Sequence, residues 1–187
     1  MVRWMNPAKG EFMKIRESEK LILIMLADVY EKLGLDGVDP DFIREAIYSG
    51  NTWGLYWKYP GIFPEQEEEN PPVVGEVVDY LEMWSFIEDS FQVLDGPTQA
   101  GIKDQKDLMS PVFHGFDGNN ETEHMGVAIF MVKHLERFTE FEGRDMNSHC
   151  PMLPRYRRML EVFRPIRETL AGVRQISVNG VTAPNGI

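Results

Sequence analysis

The chain has 187 residues, is 43% hydrophobic and carries a formal net charge of −11, a composition that suits one packed domain and excludes wholesale disorder. Its longest apolar run, Leu21 to Ala27, is seven residues, against the roughly 20 that a membrane span needs. The single cysteine, Cys150, excludes an intrachain disulfide and a multi-cysteine zinc site, and the first residues hold no signal-like apolar run, so a cytoplasmic protein away from membranes is expected.

In chain order, the first expected helix runs from about Glu17 to Leu33. Leu21, Ile22, Met25, Leu26, Val29 and Leu33 recur at helical spacing, and Gly34 stands where a left-handed C-terminal residue is wanted. Asp39-Pro40-Asp41 opens a second helix: Asp39 caps, Pro40 fits the first turn, and Asp41 favours the dipole. That helix carries Phe42, Ile43, Ala46 and Ile47 and stops near Gly50. An aromatic patch follows, Trp53, Tyr56, Trp57 and Tyr59. Residues 60–72 read as an acidic loop, because prolines remove backbone donors and the Glu run repels itself.

A long helix is expected over Val73 to Leu94, with Val73, Val77, Tyr80, Leu81, Trp84, Ile87 and Phe91 on one stripe. Residues 98–112 suggest a short helix and a loop. Asn120 with Glu123 resembles a capping box and opens a helix to about Phe141. Its run Val127 to Val132 is apolar all round, which places it centrally in the core. A last helix starts at Pro154 with Tyr156, Met159, Leu160, Phe163 and Ile166 on one face, and Pro165 should kink or end it. The sum is an all-α, multihelical single domain with a central buried helix near 120–141. An N-terminal extension, 1–15, and a C-terminal tail, 175–187, flank a helical domain over 16–174.

The acidity is local. Residues 60–123 hold 2 Lys/Arg against 15 Asp/Glu, whereas residues 124–187 hold 9 against 6. A nucleic-acid binder shows a basic face, so the whole chain argues against nucleic acid. The C-terminal arginines, including Arg157 and Arg158, keep a local option open, but Glu161 and Glu168 interleave with them. The alternative regulator would use helices 17–33 and 40–49 as a helix-turn-helix-like pair. Its second helix offers only Arg44 between Asp41 and Glu45, a poor base-reading surface.

Candidate chemistry is sparse. Glu121-x-x-His124 has one half of a carboxylate di-iron pattern, and no other histidine follows a Glu at that spacing. Asp117-Gly-Asn-Asn-Glu121 lacks the Gly and the closing Glu of a calcium loop. It reads as a turn into a capped helix whose N-terminus, with Asp117, Asn119, Asn120, Glu121 and His124, could hold an anion or small ligand. Ser148-His149-Cys150 are adjacent and so do not form a nucleophile–base pair through sequence alone. Cys150 is expected to be semi-buried and structural, and His149 joins the candidate binding residues. No phosphate-binding, dinucleotide or nucleophile-elbow motif occurs. The expectation is no catalytic residue, no metal and no cofactor.

Three blocks carry a family likeness: Glu19-Lys-Leu-Ile-Leu23; Phe113-His-Gly-Phe-Asp-Gly-Asn-Asn-Glu-Thr-Glu-His-Met-Gly126 with Phe130-Met-Val132; and Asn147-Ser-His-Cys-Pro-Met152 with Tyr156-Arg-Arg-Met-Leu160. Together, over roughly residues 16–165, the chain resembles the YfbU-like family of bacterial proteins. The resemblance implies a mainly helical cytoplasmic oligomer with no established activity or cofactor. With it, the aromatics Trp53, Tyr56, Trp57 and Tyr59 become the expected exposed interface of a homo-oligomer. The functional expectation is a non-enzymatic, oligomerising interaction or regulatory protein.

Overall fold

Helical periodicity dominates the chain and is realised in the computed structural model, which describes residues 15–62, 70–105 and 110–179, with side chains to 169. Among these residues there are seven α-helices and no sheet: α1 Glu17–Lys32, α2 Pro40–Tyr48, α3 Trp53–Lys58, α4 Pro72–Gln92, α5 Gly96–Lys103, α6 Thr122–Lys133 and α7 Leu153–Asn179. A 3-10 turn, Thr139–Phe141, lies between α6 and α7. The extension 1–14, most of the acidic loop (63–69) and residues 180–187 lie outside the described residues.

Local chemistry explains most boundaries. Asp39 caps α2 as expected, its carboxylate accepting from Phe42 N at 2.9 Å. Asp95 caps α5 the same way through Thr98 N at 2.8 Å. The aromatic patch is itself a helix, α3. Asn51 anchors its start by accepting from Trp53 Nε1 at 3.0 Å, and Gly54 lets α3 lie against α6, where a Cβ would come 2.4 Å from the Phe130 ring.

Helix α6 is shorter than its apolar pattern suggested. Asn120 is not its cap: the helix starts at Thr122. It stops at Lys133 because Glu136 and Phe138 take left-handed backbone angles, φ +53° and +57°. Val127, Ala128, Phe130, Met131 and Val132 are buried as expected, but Ile129 emerges at the surface. Helix α7 continues through Pro165 to Asn179 rather than ending at the proline. Thr169 Oγ1 donates to the Pro165 carbonyl at 3.0 Å.

Two aromatic clusters flank α6. On one side Phe42, Trp53 and Phe130 meet, with ring centroids 5.4 Å apart for Trp53–Phe130 and 5.5 Å for Phe42–Phe130. On the other side Tyr80, Trp84, Phe113, Phe116 and Tyr156 interlock, with centroids 5.6–6.2 Å apart. Helix α1 stays outside this core. It packs on α2 through Ala27, and Arg44 of α2 ties it down by pairing with Asp28 at 2.9 Å and Glu31 at 2.7 Å.

Candidate functional site

The residues expected to hold a ligand, Asp117, Asn119, Asn120, Glu121, His124 and His149, lie on two segments, 113–124 and 147–149, that converge on one another. Phe116 N donates to Met146 O at 2.9 Å and Ser148 N donates to Phe116 O at 3.0 Å, a single parallel bridge between two loops. Gly115 makes this approach possible: its φ is +80°, and a Cβ would fall 2.1 Å from the Met146 carbonyl oxygen. The Tyr156 hydroxyl donates to Gly115 O at 2.9 Å from within the core, and burial pushes that hydroxyl far above its ordinary pKa.

The side chains of the turn are occupied. Asp117 accepts from Asn119 N at 3.0 Å and from the Asn120 side-chain amide, and these bonds hold its carboxyl below the usual range. Glu121, 5% exposed, accepts from Met152 N and Leu153 N at 2.8 Å through Oε1 and from Asp117 N at 3.0 Å through Oε2. It therefore caps the start of α7 and closes its own turn. Asn147 Oδ1 accepts from Gly118 N and His149 N at 3.0 Å. At the head of α6 the Glu121 carboxylate is thus turned to backbone donors of another segment.

His124 and Arg157 meet on a residue the sequence did not single out, Glu76 of α4. His124 Nε2 lies 3.2 Å and Arg157 3.3 Å from Glu76 Oε2, with the Tyr80 hydroxyl at 3.4 Å. Burial alone raises the Glu76 carboxyl, but the bonds from His124 and Arg157 outweigh it and hold it low. The cluster joins α4, α6 and α7. It contains an acid, a base and a cation but neither Ser148 nor Cys150. Ser148 Oγ donates to Cys150 O at 2.7 Å, and Cys150 is exposed rather than semi-buried. His149 is exposed and left-handed, φ +55°, beside Asp145 at 3.9 Å. Among the described residues no group of three or more His, Cys, Asp or Glu could hold a metal ion.

A second cluster went unnoticed in the sequence. Arg144 grips Glu88 with both terminal nitrogens at 2.8 Å, and Phe113 N donates to the same carboxylate at 2.7 Å. This fork pins both loops to α4. Its signal was available: Glu88 sits four residues after Trp84 and seven after Leu81, on the apolar stripe, where an acid demands a partner.

The expected aromatic interface needs correction. Trp53 is 5% exposed, and Trp57 and Tyr59 pack on the core. Trp57 meets Trp53 edge-on at 5.1 Å and donates to Asn70 Oδ1 at 3.2 Å, and the Tyr59 hydroxyl oxygen accepts from Asp39 N at 2.9 Å. Tyr56 is half-buried. These side chains fill the space between α2, α3 and α6. The exposed apolar surface lies instead on α1, where Leu21, Ile22, Met25, Leu26, Val29 and Leu33 are 51–66% exposed. No helix among the described residues is long and apolar enough to cross a membrane.

The family model described as the YfbU domain matches residues 13–175. A UPF0304 protein of the archaeon Methanocaldococcus jannaschii is 30% identical over 105 residues, which cover 51% of this chain and 58% of the relative. The match thus spans little more than half of that relative, and its source shows that such proteins are not confined to bacteria. No solved structure matches the chain. The matched region takes in the 113–126 turn, the 147–152 loop that Glu121 and Asn147 bind to it, and all seven helices save the last residues of α7, and on that extent the chain belongs to the YfbU family.

Proposed function

We propose that this protein acts through self-association as a non-enzymatic interaction or regulatory protein inside the cell. The observation that carries the reading is the α1 stripe. Six large apolar side chains, each more than half exposed, lie on one face of a helix whose opposite face rests on α2. At roughly 100 Å² apiece they form a patch on the order of 600 Å², at the top of what monomers leave uncovered. Ile22, Leu26, Val29 and Leu33 follow a 4-3-4 spacing, the seam pattern of paired helices.

The polar clusters support the same reading. Glu121, Asp117, Asn147 and Glu88 all have internal partners and act as fasteners between segments. One exposed, unpaired cysteine suits a reducing compartment. The nucleic-acid alternative loses its main cation, since Arg44 binds Asp28, Glu31 and Asp41 within the α1–α2 joint. The test is mass in solution from ~1 to ~100 μM, a range that brackets a ~μM interface. Assembly above the monomer mass, lost in Leu26→Glu, is expected. A monomer throughout that range would end the proposal.

A further inference from the structure

A second apolar surface of similar length is carried by other helices of the fold. Between α4 and α7 a groove of ≈ 500 Å³ is lined by Met83, Phe86, Met159, Val162, Phe163 and Ile166. Met83 forms its buried floor, while Val162 at 69% and Ile166 at 44% exposure form an open wall. Along α7 the groove extends from Arg155 to Ile166, about 16 Å at 1.5 Å per residue, and the α1 stripe from Leu21 to Leu33 extends about 18 Å.

The charges at the ends also match. Arg157 of α7 is bound to Glu76, Arg164 to Asp79, and Arg167 to Asp79 and Glu82. Arg155 and Arg158 line the groove's end, and among the described residues neither has an ion pair. One turn before the α1 stripe stand Glu17 and Glu19. Glu17 holds an exposed pair with Lys20 at 2.8 Å, an interaction worth little and easily exchanged, and Glu19 Oε2 accepts from Arg16 N at 2.8 Å at the exposed start of α1.

We propose that the α1 stripe of one copy docks in the α4–α7 groove of a second copy, with Glu17 and Glu19 meeting Arg155 and Arg158. The inference rests on the self-association proposed above and names the surface that receives the stripe. Exchanged reciprocally about a two-fold axis, the contact closes into a dimer. Two stripes of on the order of 600 Å² contribute roughly 1,200 Å², and the two grooves that receive them add to this, so the reciprocal contact exceeds the low end of specific interfaces. A stripe paired only with another stripe buries on the order of 1,200 Å², the low end of specific interfaces, and leaves the groove and its two arginines uncovered.

The experiment compares the full chain with Leu26→Glu and Val162→Glu by sedimentation across the same concentrations. Both changes are at exposed positions, and circular dichroism checks that both variants stay folded. Each variant alone is expected to associate at least ~100-fold more weakly than the parent, as a glutamate desolvated in an apolar contact must. Mixed in equal amounts, the two should recover a heterodimer, because one intact stripe then faces one intact groove. Arg158→Glu should weaken assembly and Glu19→Arg in the same chain should restore it. An assembly that Leu26→Glu destroys but Val162→Glu leaves intact overturns the inference and keeps self-association through the stripe alone. An assembly that neither change affects overturns the role of the stripe. A wild-type monomer overturns both, as would follow if residues 1–14 of the same chain covered α1.

Discussion

Replacing Glu121 tests whether the most family-like segment is a fastener or a ligand site. Its carboxylate accepts three backbone N–H groups, from Asp117, Met152 and Leu153, at 2.8–3.0 Å, and the first two bonds are fully buried. Hydrogen bonds to a charged group contribute roughly 1.5–3 kcal/mol each, and a buried donor left unmatched costs about 1–3 kcal/mol. The third bond, at Leu153, lies nearer the surface, where water substitutes. Glu121→Ala should therefore destabilise by about 3–5 kcal/mol, a large share of the 5–15 kcal/mol typical of a domain. Glu121→Gln keeps one acceptor oxygen, enough for the Met152–Leu153 pair or for Asp117 N but not for both, and its amide turns a donor toward a donor. It should cost roughly half as much. Urea unfolding followed by far-UV circular dichroism reads the effect as a midpoint shift at constant m. A loss below about 1 kcal/mol for Glu121→Ala would mean that the clasp does not hold α7 and that the acid serves something else.

Other expectations follow from the packing. Phe130→Ala should cost about 3–5 kcal/mol, since Phe42, Trp53 and His134 all lean on that ring; Ile129→Asp, at the surface, should stay within ~1 kcal/mol, and equal losses in thermal melts would misplace the face of α6. Gly115→Ala should destabilise by more than the usual ~1 kcal/mol glycine effect, because a positive φ and the Met146 carbonyl both oppose a Cβ; unchanged stability would contradict the loop bridge. Glu76 has a folded pKa below its unfolded value, so its contribution is present above about pH 4.5 and fades as pH falls through the folded value. Stability of Glu76→Gln measured between pH ~6 and ~3 should accordingly decline less steeply than the parent's, and parallel curves would refute the His124–Arg157 linkage.

The helices were legible because periodicity and caps are local. Asp39 announces α2 from its own neighbourhood, and the α4 stripe is written at the spacing that its core requires; Asp95, which looks like the turn that ends α4, also caps α5. Non-local fasteners were not legible in the same way. Asn120 and Glu123 look like a capping box, yet the α6 start is decided by Glu121 reaching 31 and 32 residues ahead to Met152 and Leu153. A three-residue spacing rule has no access to that competition. The α6 end likewise depends on left-handed residues, Glu136 and Phe138, that are not glycines and carry no strong sequence mark.

The apolar surfaces of α1 and α3 expose the deeper limit of pattern reading. Trp53, Trp57 and Tyr59 looked like surplus aromatic surface because they fall in a short, proline-bounded segment with no long stripe. Leu21 to Leu33 showed the spacing of an ideal stripe and nothing to say what would cover it. Amphipathic spacing specifies only that one face must leave water; it is silent on whether the covering surface belongs to the same chain. Helix α1 already gives its Ala27 face to α2, and Arg44 fixes the orientation by clamping Asp28 and Glu31. The larger face is thereby turned outward. Replacing Arg44 by Met should loosen that orientation without emptying the core, since the pairs it breaks lie at the α1–α2 joint. If the outward stripe is what assembles the protein, this change should weaken association far more than it lowers the melting temperature. Equal losses in both would mean that α1 is held by the core and that its exposed leucines are incidental.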